Sequence, residues 1–365
     1  MLSATRLDLH SGFHAASMSK SVIKGCLKTV LARNISTTKS SSTTVQLRDD
    51  LHNTQTPAKR SLPPANNTSL IRMTTKEEKK EGPFLVKSVY EHPGYSKEDM
   101  HAVKYEHRPV QSFRDAITFG FMVGLRRSFD LCTGYIEPRD EKHQIEIGKG
   151  PNRMTVEKWL TRVIILESVA GIPGAVAGFL RHLNSIRMFR RDMAFIDTLY
   201  DEAFNERMHL LTFLKMAKPT IFTRALLWVG QGLFANAFFM VYLVSPKTCH
   251  RFVGYLEEEA VSTYTRCIRD MELGLCPELE QQPVPQIAKD YWNMGDDATM
   301  YDLIQYIRAD EAKHREVNHT FANLQQKGED RNPFALTIED DPRPQPSRTL
   351  KNHHAKGWEK NELIL

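Results

Sequence analysis

Six stretches of this chain carry apolar residues at helical spacing, divided by polar or turn-forming segments. From Ser112 to Tyr135, Phe113, Ile117, Phe121 and Leu125 recur every four positions, Phe119, Met122 and Val123 widen the face, and Arg126-Arg127 closes it. The pattern predicts an amphipathic helix with a basic end. Thr155 to Ile186 predicts a second helix, kinked or strained at Gly171-Ile172-Pro173-Gly174. Met193 to Met216, Arg224 to Val244, Cys249 to Leu273 and Ala298 to Gln325 complete the set. The segment Asp140 to Pro151, with Gly148 and Gly150, reads as a loop, and Cys276-Pro277 through Pro285 as a turn-rich connection. The fold class is all-α, with the helical bundle expected over residues 111–325.

Outside that span the periodicity fails. Residues 1–60 are rich in Ser and Thr and carry Arg6, Lys20, Lys24, Lys28, Arg33 and Lys39, with Asp8 the one acid before Asp49. That is the composition of a mitochondrial transit peptide. Residues 61–82 read as linker and 83–110 as an N-terminal arm running over the bundle, with order expected to begin near Pro83. Residues 326–365, with their prolines, charges and His353-His354, read as an exposed tail.

A net charge of +5 over 365 residues is too mild and dispersed for a nucleic-acid partner, and no zinc-finger or aromatic-platform motif supports one. The five cysteines form no Cys-x-x-Cys pair, which points to reduced thiols.

Chemistry enters at Asn205-Glu206-Arg207-Met208-His209-Leu210, where a Glu and a His three residues apart share one helix face. The same spacing returns at Glu311-Ala312-Lys313-His314. Two further carboxylates sit on other predicted helices: Glu167 in Ile165-Leu166-Glu167-Ser168-Val169, and Glu257 at the head of Glu257-Glu258-Glu259. Two Glu-x-x-His pairs with a Glu from each of two more helices form the donor set of ferritin-like di-iron bundles. Oxygen and imidazole donors suit iron or manganese rather than calcium or a thiolate zinc site. Spacing leaves Glu258 and Glu259 as rivals of Glu257. Tyr264, two turns after Glu257, could serve an oxygen reaction, though spacing alone favours packing. Asn205, Asp310, Tyr242 and Trp292 could orient the imidazoles, but Asn205 and Asp310 each directly precede a ligand Glu, which turns their side chains elsewhere on the helix. His182, His250 and His319 lack paired spacing and read as structural or surface residues.

Ala225 to Val244 has the length that a bilayer crossing needs. A two-span hairpin would place Glu167 and Glu257 on one side of the bilayer and Glu206 and His209 on the other, so that one site could not collect them. An interfacial protein is the better reading: the helices Ser112 to Tyr135 and Arg224 to Val244 lay apolar faces into one leaflet, flanked by Lys215, Lys218, Arg224, Arg126 and Arg127. The bland alternative is that both helices are buried core.

Leu166-Glu167-Ser168-Val169-Ala170-Gly171-Ile172-Pro173-Gly174, Asn205 to Leu210, Leu256-Glu257-Glu258-Glu259-Ala260 and Arg308-Ala309-Asp310-Glu311-Ala312-Lys313-His314 resemble, in order, the four signature motifs of the mitochondrial alternative oxidases. The resemblance covers roughly Pro83 to Leu324, and Asn332-Pro333-Phe334 is similar to the C-terminal signature of animal members. It implies a cyanide-insensitive ubiquinol oxidase that reduces O2 to water without pumping protons. Such an enzyme is a homodimer bound to lipid on the matrix face of the inner mitochondrial membrane. Carried over by motif, Glu167, Glu206, His209, Glu257, Glu311 and His314 would hold two iron ions, and Tyr264 would be the redox-active tyrosine. Ubiquinol would bind at Arg126, Asp130, Arg162, Leu166, Glu259, Ala260 and Thr263. No cysteine lies between Cys26 and Cys132, so the regulatory cysteine of plant members has no counterpart. The rival readings are a di-iron quinone hydroxylase and a ferritin-like iron-binding protein.

Overall fold

The computed structural model describes residues 70–75, 89–324, 330–335 and 343–365. Among them, strand β1 (Ile71–Met73) pairs antiparallel with β2 (Ala217–Pro219), and everything else regular is helical. The helices are α1 (Lys97–Ala102), α2 (Phe113–Thr133), α3 (Glu141–Lys149), α4 (Val156–Met188), α5 (Phe195–Met216), α6 (Ile221–Val244), α7 (Pro246–Glu272), α8 (Pro277–Glu280), α9 (Gln286–Trp292) and α10 (Met300–Asn323). The six predicted helices are α2, α4, α5, α6, α7 and α10, and the fold is all-α as expected. The predicted transit peptide lies outside the described residues.

Their starts are set locally. Ser112, Thr155, Thr220 and Ser245 each accept a backbone N–H of the first turn, Pro246 opens α7, and Thr299 forms a capping box with Asp302. Helix α4 runs unbroken for 33 residues through Pro173. A Cβ on Gly174 would lie 2.5 Å from the Leu199 carbonyl oxygen, so α4 and α5 meet at a distance only glycine allows. Helices α7 and α10 meet as closely at Gly254, where a Cβ would lie 2.4 Å from His319 Nδ1. The bundle is thus two tight pairs, α4–α5 and α7–α10, with the acidic side chains projecting between them.

Three segments differ from expectation. The predicted loop after Asp140 contains α3, because the Asp140 side chain caps it and buried Gln144 ties it to Asp270 at 2.7 Å. Its few apolar positions gave no visible period. The predicted linker contributes β1, whose Ile71 is buried and whose backbone anchors the start of α6: the Leu70 carbonyl accepts from Thr220 N at 3.1 Å and from Thr223 Oγ1 at 2.6 Å. The C-terminal segment is not an exposed tail. Phe334, Leu350, Trp358 and Leu363 are buried, and Trp358 Nε1 donates to Glu316 of α10 at 2.7 Å. Asn332 donates to the Ala194 carbonyl at 2.9 Å and to Thr198 at 2.6 Å, and so supports the start of α5 where no side chain of that helix caps it.

Helices α4 and α6 are long and apolar enough to cross a membrane by length and composition. Half of that apolar window is buried in α4, but only 11% in α6. On α2 the periodic residues Phe113, Ile117, Phe121 and Leu125 point outward, while Thr118 and Met122 face the protein. A buried-core role for these two faces is therefore excluded. Arg126 does not flank the apolar surface as expected. Its side chain is 12% exposed and is engaged by Asp130, Glu137 and Glu259.

Candidate metal centre

Six buried side chains converge between the helix pairs: Glu167 from α4, Glu206 and His209 from α5, Glu257 from α7, and Glu311 and His314 from α10. Each of two groups, Glu167–Glu206–His209–Glu311 and Glu206–Glu257–Glu311–His314, brings one donor atom per residue within 4.8 Å of the others. Glu206 and Glu311 belong to both. His209 Nδ1 lies 3.5 Å from Glu167, 3.6 Å from Glu206 and 3.3 Å from Glu311, and His314 Nδ1 lies 2.6 Å from Glu206. Glu258 and Glu259 point elsewhere. Glu258 accepts from Arg108 N at 2.8 Å and contacts His319 at 2.9 Å, while Glu259 pairs with Arg126 at 2.8 Å.

The electrostatics show what this arrangement lacks. Despite these short contacts, Glu167 Oε2, both oxygens of Glu206, Glu311 Oε2 and Nδ1 of each histidine are buried without a properly directed hydrogen bond, an arrangement that proteins rarely tolerate. Burial pushes the Glu167 carboxyl up to about 8, and burial with the facing charges of Glu311 and Glu206 raises Glu257 well above the carboxylate range. Glu206 moves the other way, because His314 and His209 outweigh its burial. Burial opposes protonation of both imidazoles, yet the surrounding carboxylates hold them well above the usual histidine value. The site thus demands positive charge at its centre. A metal centre with oxygen and nitrogen donors satisfies that demand and gives every orphaned atom a partner.

One carboxylate organises the His209 side. Asp310 faces His209 Nε2 at 3.1 Å, Asn205 Nδ2 at 3.1 Å, Trp292 Nε1 at 2.9 Å, His92 Nε2 at 2.8 Å and Tyr95 OH at 2.7 Å. The sequence reading that adjacency to a ligand turns Asn205 and Asp310 away from the site fails here. Each does project about 100° round its helix from the neighbouring Glu, but that direction reaches the far nitrogen of His209 rather than solvent. The arm residues His92 and Tyr95 carry no pattern that could have announced them. Trp292 also stacks on His209, with ring centroids 5.7 Å apart. Tyr242 lies outside this network and contacts His250 at 3.3 Å. His250 and His319 are buried and bonded to Asn318 and Glu258, as structural histidines are, and His182 is exposed.

The Tyr264 hydroxyl donates to Glu167. One residue earlier, Thr263 Oγ1 accepts from Arg126 at 3.2 Å, and the Arg126 guanidinium also grips Asp130 at 2.8 Å. Arg162 donates to the same Asp130 at 2.7 Å and to Thr133 at 2.5 Å, and lies 4.0 Å over the Tyr135 ring. Arg126, Asp130, Arg162, Glu259 and Thr263 therefore form one network, with Leu166 and Ala260 half-buried at neighbouring positions. Thr133, Tyr135 and Glu137 complete it without a sequence signal. Near His314, buried Glu202 accepts from Asn318 at 3.0 Å, and burial pushes its carboxyl up to about 7.

Two Glu-x-x-His pairs and two further glutamates in a helical bundle are the donor set of the metal-binding carboxylate bundles. The family model described as alternative oxidase matches residues 95–323. An alternative oxidase, mitochondrial, of Yarrowia lipolytica is 54% identical over 281 residues, 77% of this chain and 78% of that one. One from Scheffersomyces stipitis is 54% identical over 285 residues, 77% of this chain and 79% of its own. Alternative oxidase 2, mitochondrial, of Candida albicans is 50% identical over 309 residues, 82% of this chain and 84% of its own. The chain belongs to the alternative oxidase family, and its activity is that of a ubiquinol oxidase with ubiquinol and O2 as substrates.

Proposed function

We propose that Glu167, Glu206, His209, Glu257, Glu311 and His314 would hold two iron ions, and that the chain oxidises ubiquinol and reduces O2 to water with the redox chemistry these ions would supply. The supporting observation is the convergence of six buried side chains whose unpartnered atoms face one another. Four carboxylates and two neutral imidazoles around two ferrous ions make a neutral set, which removes most of the cost of burying them.

Bound iron supplies the redox and oxygen chemistry. The chain's own residues prepare it. Asp310 takes the Nε2–H of His209, which fixes the ring with Nδ1 toward the centre. Arg126 and Arg162 hold the quinol headgroup beside Asp130 and Glu259, and Glu259, its carboxyl raised by burial, accepts a quinol proton. Leu166, Ala260 and Thr263 shape the same pocket. Tyr264, next to Thr263 in sequence, donates its hydroxyl to the Glu167 carboxylate and would be the residue that gives up an electron and a proton during turnover.

The outward faces of α2 and α6 support binding to one leaflet on the matrix face of the inner mitochondrial membrane, with Lys215, Lys218, Arg224 and Arg127 near lipid phosphates. Exposed Phe179, Leu183 and Ile186 on α4 leave an apolar strip that fits a second copy, and so a homodimer. The acid-poor leader over residues 1–60 supports import.

The test is oxygen uptake by membranes containing this chain, fed ubiquinol in the presence of cyanide. Uptake without any oxygenated quinone supports the oxidase over a hydroxylase, and Glu206→Ala should abolish both uptake and iron binding. Tyr264→Phe should keep the iron and lose turnover; retained turnover would remove the tyrosine from the mechanism.

A further inference from the structure

A cavity of about 200 Å³ opens among the arm, α5, α9, α10 and the C-terminal segment, and shares no lining residue with the Arg126–Arg162 network. Its wall along α5 is Asp197, Thr198, Asp201, Glu202 and Asn205, and buried His314 also lines it. Successive turns of one helix, about 5.4 Å apart, thus carry Asp197, then Asp201 with Glu202, then Asn205 beside the ligand Glu206. Exposure falls along this line, from 31% for the Asp201 side chain to 6% for Glu202 and 1% for Glu206. Asn205 is itself 6% exposed, and both its amide hydrogens are used, on Tyr291 and Asp310. Its carbonyl oxygen has no partner. An unpaired carbonyl beyond a ladder of carboxylates is a hard-oxygen path that suits a divalent cation. Lys313 and Arg348 also line the cavity, but Lys313 is held by Glu316 at 3.0 Å, and Arg348 pairs with Asp201 at 2.9 Å.

We propose that this cavity is the route by which a divalent metal ion reaches the buried ligand set, passed from Asp197 and Asp201 to Glu202 and Asn205, and then to Glu206 and His314. The proposal rests on the metal-centre reading. It separates metal loading from quinol binding, since the two use different residues.

The test uses the full-length protein in detergent, stripped with a chelator and then mixed with Co2+, with the growth of the visible cobalt band followed in time. Asp197→Asn and Asp201→Asn should each slow loading about fivefold at low salt, with the final metal content per chain unchanged. Arg348→Ala should speed loading by a similar factor, and Glu146→Gln, an exposed acid away from the cavity, should load like the parent. Unchanged loading in the Asp197→Asn/Asp201→Asn double variant overturns the route while leaving the metal centre intact. Failure of the parent protein to take up either Co2+ or Fe2+ overturns both.

Discussion

The two histidines of the centre are equivalent in sequence and unlike in surroundings. His209 is fully buried, stacked on Trp292 and bonded through Nε2 to a carboxylate that receives four other donors. His314 lines the cavity, with Glu202 nearby. His209 is backed by Asp310 of α10 and, through that carboxylate, by the arm and α9, whereas His314 itself lines the cavity. The same i, i+3 motif thus serves two purposes. A repeat in sequence fixes where the donors are, and the elements packed behind each donor decide whether it is rigid or accessible.

The sharpest test of that contrast is Asp310→Asn against Glu202→Gln. Loss of the Asp310 charge should weaken metal binding by about 10- to 100-fold, in line with other carboxylate–histidine–metal sites. Glu202→Gln should change affinity far less, as measured by competition with a chelator, and equal losses would erase the distinction between the two sides.

A smaller effect is expected beyond the open side, where His250 is buried against Asn318 and burial lowers its pKa to about 4. In the unfolded chain this imidazole titrates near 6.5. Its contribution to stability is therefore present in full above about pH 6.5 and is lost as pH falls through about 4. His250→Gln should flatten that part of the stability curve, followed by thermal melting between those limits.

Smallest of all, Tyr95→Phe removes one of five hydrogen-bonding partners of Asp310 and, with four left in place, should cost about 0.5–1.5 kcal/mol of thermal stability, with the metal retained. Loss of metal in this variant would mean that the arm holds the site directly.

The six clustered side chains were legible because helical periodicity and the Glu-x-x-His spacing report on the same face of the same helix. Among Glu257, Glu258 and Glu259, spacing could not choose. The choice lies in what packs on each side: His319 and the Arg108 backbone take Glu258, and Arg126 takes Glu259. His92 and Tyr95 stand 218 and 215 residues from Asp310, in a segment without a period, so no local rule could join them. The C-terminal segment misled for a related reason. Its buried residues Leu350 and Trp358 are isolated among polar neighbours, and Leu363 stands in a three-residue apolar end too short to show a period, so each is buried by fitting a helix already built rather than by forming one.

The short pairing of Ile71–Met73 with Ala217–Pro219 also bears on maturation. If a leader is removed on import, a cut ahead of Leu70 keeps the carbonyl that fastens the first turn of the exposed apolar helix α6. A mature chain trimmed past that point would arrive with its apolar helix unpinned, so the permitted N-terminus is set by the fold as much as by the protease.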